Sequence, residues 1–270
     1  MIGRTSVPRG HLLIILTHCR YHDQYVPLMR NCLLGREIGG SGMHLDRRYF
    51  YLDTDGCARY SCGLARQAIT EFLRENGEER IFLGNEWHKT LEHFKNNPSV
   101  LSFTVEQILI SKMASAGLDG SIVLPAAKII TFEGETTWLS VDEPSAYYVP
   151  LKFDRKAIDV LFVSVDRQVR SAHLVAIQIT VAKQHKDSEA AFFTELNTWL
   201  LGLEGFEVDI SFLWIHEGER GRSEVEEKLK ELRGRTAVIL PNHDTHWMSV
   251  EQVDVELART LTRIRPKTKT

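Results

Sequence analysis

The pattern of apolar and polar positions is clearest in the second half of the chain. Residues 158–165 form an apolar, β-rich run and 174–181 form another, and each predicts a strand. Side chains alternate along a strand, so Gln178 and Thr180 share one face of the second run. Between 189 and 203, Phe192, Phe193, Leu196, Trp199 and Leu200 fall at helical spacing and predict an amphipathic helix. A third strand is expected over 208–215, then a charged surface helix over 223–232 with Ser223 as N-cap. A fourth strand is expected over 237–240, stopped by Pro241, and a final helix over about 249–264. The order β-β-α-β-α-β-α is an adjacent strand pair followed by alternating units. It predicts an α/β domain with a mixed sheet flanked by helices.

Upstream the elements are shorter. Trp87, Leu91 and Phe94 suggest a helix stopped at Asn96-Asn97-Pro98. Val105, Ile108, Leu109 and Met113 suggest another, carrying Glu106 and ended by Gly117. Strand-like pieces follow at 122–124, 128–131 and 137–141. Before residue 80, Leu12, Ile15 and Leu16, then Val26, Leu28 and Met29, fit two short helices. Glycines at 35, 39, 40 and 42 mark a loop, and Tyr49-Phe50-Tyr51-Leu52 reads as a strand entering the turn Asp53-Thr54-Asp55-Gly56. Leu64, Ala68, Ile69, Phe72 and Leu73 then return to helical spacing. The expected organisation is a small helical, winged-helix-like region at 1–80 ahead of the main domain at 81–265.

Composition narrows the function classes. With 43% hydrophobic and 26% charged residues the chain reads as an ordinary globular protein. A net charge of −3 supplies no global basic field, so a nucleic-acid surface would be a local patch. Cys19, Cys32, Cys57 and Cys62 form no CxxC pair. Zinc held with His18, His22 and His44 and free thiols in a reducing compartment are the two readings of that set. No stretch reaches the ~18–20 apolar residues of a membrane span, so an intracellular protein with no membrane partner is expected.

Chemistry enters through the strand pair. Hydrolysis of a phosphodiester needs carboxylate and other oxygen donors for a hard cation, and a polar or cationic group to neutralise developing charge. Asp159 starts one strand, and Gln178 and Thr180 lie on its neighbour; a hairpin would bring all three to one place. An Asp at a strand start is more often a cap. A Gln inside an apolar run is more informative, because an unpaired buried amide costs ~1–3 kcal/mol. Lys183 and His185 follow directly, either as a cation and an assisting imidazole or as part of a solvated polar loop. Two further clusters are weaker. Trp214, His216 and Glu217 end a strand, and Asn242-His243-Asp244-Thr245-His246-Trp247 reads as a polar loop in which two histidines and an aspartate are spaced for a transition metal. There is no Gly-x-Ser-x-Gly elbow and no phosphate loop of the GxxxxGK[ST] kind, so acyl transfer and ATP hydrolysis have no support.

The pattern Ala157-Ile158-Asp159, then Gln178-Ile179-Thr180-Val181-Ala182-Lys183-Gln184-His185, resembles the PD-(D/E)xK-like nuclease domain of Crinkler effectors and retrotransposon hot spot (RHS) proteins. Phe103-Thr104-Val105-Glu106-Gln107 is similar to the segment that supplies a glutamate in that group, and Ser6-Val7-Pro8-Arg9 is weakly similar to the end of its ATPase module. The resemblance implies a restriction-endonuclease-like fold and Mg²⁺ (or Mn²⁺) held by Asp159, Gln178 and Glu106, with Lys183 and His185 assisting. It further implies DNA as partner, an upstream ATPase module or host protein as a second partner, and an effector acting in a nucleus. Gln178-x-Thr180 stands where the superfamily has Glu-x-Lys, so a catalytically degenerate fold that binds nucleic acid or protein is the alternative.

Overall fold

A computed structural model describes residues 50–52, 58–60, 69, 91–92, 95, 98–132, 143–150, 158–180, 188–218 and 243–264. The chain divides into two compact units, Met1–Thr90 and Leu91–Thr270. In the first, β1 (Phe50–Leu52) and β2 (Ala58–Tyr60) pair antiparallel, with Phe50 opposite Tyr60, so the strand expected at Tyr49–Leu52 is one arm of a hairpin. Of the rest of the expected winged-helix-like region only Ile69 is among the described residues, and it is helical and buried.

The second unit opens with α1 (Pro98–Ala116). Pro98 has no N–H to lose at a first helical position, so it suits the start of this helix. Gly117 ends it with φ +76°, its N–H donating to the Met113 carbonyl at 2.8 Å. A Cβ there would meet the Leu124 carbonyl oxygen at 2.6 Å, so glycine is required twice over. β3 (Leu118–Asp119) and β4 (Val123–Leu124) form a small hairpin beside it.

Among the described residues six strands make the main sheet. They are β5 (Lys128–Phe132), β6 (Ser145–Pro150), β7 (Val160–Asp166), β8 (Ser171–Thr180), β9 (Glu207–His216) and β10 (Asp244–Ser249). The spatial order is β10-β9-β8-β7-β6-β5. β6, β7 and β8 run antiparallel to one another, while β5 is parallel to β6, and β9 and β10 are parallel to β8. This is the mixed sheet flanked by helices that the strand–helix alternation predicts. The predicted helix at 189–203 is α2 (Ser188–Thr194), α3 (Leu196–Leu200) and a closing 3₁₀ turn at Leu201–Leu203.

Two strands depart from expectation. β6 is not among the expected strands; Pro144 and Pro150 border its run Ser145-Ala-Tyr-Tyr-Val. Pro150 is the last residue of its strand, where proline is tolerated. The segment after Pro241, expected as a polar loop, is β10, and its backbone groups find partners along β9, with Trp247 opposite Trp214. The expected final helix is two helices, α4 (Val250–Val253) and α5 (Val255–Ile264). Ser249 and Gln252 form a reciprocal capping box on the first. Asp254 breaks the run because its carboxylate accepts from the Leu257 N–H at 2.9 Å and starts the second. The strands expected at 137–141 and 237–240 and the helix at 223–232 lie outside the described residues.

One face of the sheet is packed by α2 and α3. Small residues on it, Ala146, Ala172 and Ala176, leave room for Phe192, Trp199, Phe212 and Trp214, all buried. Each such large side chain contributes ~1.5–3 kcal/mol through burial, and the alternation of small and large positions lets the helix layer interdigitate with the sheet. Among the described residues no helix is long and apolar enough to cross a membrane.

Candidate functional site

Strand register decides which polar side chains meet. The β7–β8 ladder ends with Val160 opposite Ile177, and the Asp159 N–H donates to the Ile177 carbonyl at 3.0 Å, so Asp159 is opposite Gln178. Gln178 is opposite Trp214 on β9, and Trp214 is opposite Trp247 on β10. Partners at one register level share a sheet face, so Asp159, Gln178, Trp214 and Trp247 form a row across four strands on the side that α2 covers.

The two polar members of the row are in contact. Gln178 Nε2 donates to Asp159 Oδ2 at 2.5 Å, and the Ile179 backbone N–H donates to the same oxygen at 2.7 Å. Burial pushes the Asp159 carboxyl up to about 7, although the bonds from Ile179 and Gln178 pull it down. Gln178 is fully buried, yet its Oε1 has no hydrogen-bond partner among the described residues, and neither has the buried Oγ1 of Thr180 two positions on. Orphaned polar atoms of this kind are rare in a folded interior and are natural places to look for a ligand.

Beside this pair is a second polar cluster. Glu189, in the first turn of α2, is fully buried. Its Oε1 accepts from His243 Nε2 at 2.8 Å and its Oε2 from the Trp214 indole N–H at 3.4 Å. The His243 ring lies 4.2 Å from the ring of Phe193. Trp214 stacks on Trp247, with centroids 5.8 Å apart and planes 12° apart. His216, buried at the end of β9, donates from Nδ1 to the Gly218 carbonyl at 2.6 Å.

Of the residues selected from sequence, Asp159 and Gln178 come together. Glu106 is half-buried on α1, and Lys183 and His185 lie outside the described residues. The transition-metal reading of His243, Asp244 and His246 does not hold. His243 Nε2 is engaged by Glu189, and strand alternation puts Asp244 and His246 on the face opposite Trp247. Among the described residues no group of three or more His, Cys, Asp or Glu side chains is arranged to hold a metal ion. Sequence reasoning missed Glu189. Its signal was a carboxylate ahead of the apolar run Ala190-Ala191-Phe192-Phe193, but nothing local shows that its partner is His243.

A hard cation fits the donor chemistry at Asp159 and Gln178, a carboxylate beside an amide oxygen that has no partner among the described residues, but two protein oxygens are fewer than such an ion needs. Water or residues beyond the pair would supply the rest.

No protein family model matches the chain, and no curated protein matches it. The chain has a distant likeness to a solved structure of the restriction endonuclease FokI bound to DNA, with a TM-score of 0.31 and 10% sequence identity. The match covers 81% of this chain and 37% of that one, so the chain spans little more than a third of the length of the FokI chain.

Proposed function

We propose that the Asp159–Gln178 pair is the centre of a cation-dependent phosphodiester hydrolase acting on DNA, in a restriction-endonuclease-like fold. The observation that carries this is the fully buried Gln178 amide oxygen, without a partner among the described residues, beside a carboxyl that burial pushes up to about 7. A purely structural Asp–Gln contact would satisfy both ends of the amide. Here one end fixes Asp159, and the other has no partner among the described residues and so is open to a ligand.

In this reading Asp159 and Gln178 hold Mg²⁺ or Mn²⁺. Glu106 supplies a further carboxylate, Lys183 offsets charge on the phosphate, and His185 assists. The cation, when bound, lowers the pKa of a coordinated water and neutralises charge on the phosphate oxygens. The chain's own groups set the geometry: the Gln178 amide and the Ile179 N–H both fix Asp159 Oδ2. Because the carboxyl titrates near neutral pH, loading the cation displaces a proton from it. The motif similarity of 157–185 supports a place among the Crinkler and RHS nucleases, and with it an effector role in a nucleus. The test is plasmid nicking with Mg²⁺ or Mn²⁺. Wild type nicks and Asp159→Ala falls to the level of a mock preparation. Equal nicking by both would overturn the assignment.

One observation favours a second reading. Thr180 stands where a lysine would activate water, and no group of three or more acidic or imidazole ligands is found among the described residues. A non-catalytic module that binds nucleic acid or protein would show these features. Calorimetry separates the two: absence of Mn²⁺ binding with retained DNA binding would support the module.

A further inference from the structure

We infer that a cavity at the Ser171 end of β8, on the sheet face opposite Asp159 and Gln178, receives an arginine side chain from a basic protein segment. The inference stands apart from the hydrolase reading, because neither Asp159 nor Gln178 lines this cavity.

Strand register builds the site. Ser164 is opposite His173, and His173 is opposite Asp209. At the next level on the same face Asp166 is opposite Ser171, and Ser171 is opposite Glu207. His173 and Gln178 are five positions apart on β8, so the two blocks lie on opposite faces. All six residues line a cavity of about 260 Å³. Further along this face Phe162, Val175 and Leu213 are buried, whereas the Asp209 side chain is 75% exposed and that of His173 30% exposed. The face therefore turns from apolar to polar, and opens to solvent, where the cavity lies.

The lining contains three carboxylates and no lysine or arginine. Asp209 is 3.6 Å from His173, while Asp166 and Glu207 have no ion-pair partner among the described residues. His173 does not supply the missing charge. Burial holds its pKa below the ordinary 6.5; Asp209 and Asp244 pull it up and His246 pulls it down. The imidazole is thus neutral at pH 7, with Nε2 3.1 Å from Ser211 Oγ, and the cavity keeps its negative charge. A cavity with converging polar groups and a perturbed imidazole is the usual mark of a binding site.

The occupant follows from the spacing. Among the described residues no group of His, Cys, Asp or Glu is arranged to hold a metal ion. Same-face neighbours on a strand are ~7 Å apart and β7 and β9 are ~10 Å apart, so the carboxylates suit a broad cation. A guanidinium spreads five N–H donors over a plane and is weakly hydrated, whereas an ammonium is compact and strongly hydrated. Exposed Asp244, opposite Ser211 on β10, continues the acidic face beyond the cavity, so a basic segment gains contacts that a free amino acid does not.

The experiment follows fluorescence anisotropy of a labelled Gly-Arg-Gly-Arg-Gly peptide titrated with the full chain at pH 7. Saturable binding is expected, with the lysine version of the peptide and free arginine amide both weaker competitors. Glu207→Gln with Asp209→Asn, both exposed positions, weakens binding about tenfold. Asp119→Asn with Glu251→Gln removes the same charge from exposed positions outside the cavity and leaves binding unchanged. The inference is overturned if the peptide does not bind saturably, if the lysine peptide or arginine amide competes as well as the arginine peptide, if the cavity pair binds like wild type, or if the control pair weakens binding equally.

Discussion

Two carboxylates lie on the same side of the sheet, Glu189 buried and Asp159 half-buried, and the protein treats them differently. Glu189 has both oxygens engaged, one by the His243 imidazole and one by the Trp214 indole. Asp159 loads two donors onto a single oxygen, and its neighbour Gln178 has an acceptor without a partner among the described residues. A closed set of hydrogen bonds compensates burial and needs nothing further. An open set leaves a desolvation cost that a ligand can relieve. The contrast assigns Glu189 to holding the aromatic row in place and Asp159 to the chemistry.

The largest effect should come from breaking the closed set. Glu189→Leu leaves His243 and the Trp214 N–H buried without their acceptor. A loss of about 3–5 kcal/mol in urea-unfolding stability is expected. A loss below about 1 kcal/mol would mean that the two carboxylates do not differ in the way described here.

The open set should respond to a cation. Mn²⁺ must displace the proton from Asp159, so its affinity should weaken about tenfold for each pH unit below about 7 and level off above it. Calorimetry between pH 5 and 8 measures this. Affinity that is flat across that range would remove Asp159 from the ligand set.

The same carboxyl sets a pH dependence of folding. Its folded value is raised to about 7 from an ordinary 3.8, so between these values the folded chain binds more protons than the unfolded one. Stability without metal is therefore greatest at the acid end of that window and falls as pH rises towards 7, by at most about 1.4 kcal/mol per pH unit from this group. Asp159→Asn should flatten the slope between pH 4 and 7 in urea titrations. Saturating Mn²⁺ should flatten it too, by stabilising the charged form.

How much of this is written in the sequence follows from how local each signal is. The β8 run, its alternation and the polar position Gln178 are visible because strand periodicity is a property of consecutive residues. Asp159 is found because it lies beside an apolar run. The pairing of Glu189 with His243 is not visible, since the two are 54 residues apart and only the sheet order joins them. β10 was misread because Asp244-Thr245-His246-Trp247 is polar enough for a loop, and the register with β9 that makes it a strand is non-local. β6, bordered by prolines, is not among the expected strands.

The smallest effect tests the open set at its margin. Thr180 Oγ1 is buried and has no hydrogen-bond partner among the described residues, although the residue itself is half-buried at the end of β8. Valine has nearly the same shape and suits a strand as well. Thr180→Val should therefore stabilise the metal-free chain by about 1 kcal/mol, because it removes a hydroxyl whose desolvation is not repaid. The same change should slow nicking if the hydroxyl meets the substrate or a bound water. Destabilisation by Thr180→Val would show that the hydroxyl already has a partner, and the open set would then shrink to Asp159 and Gln178.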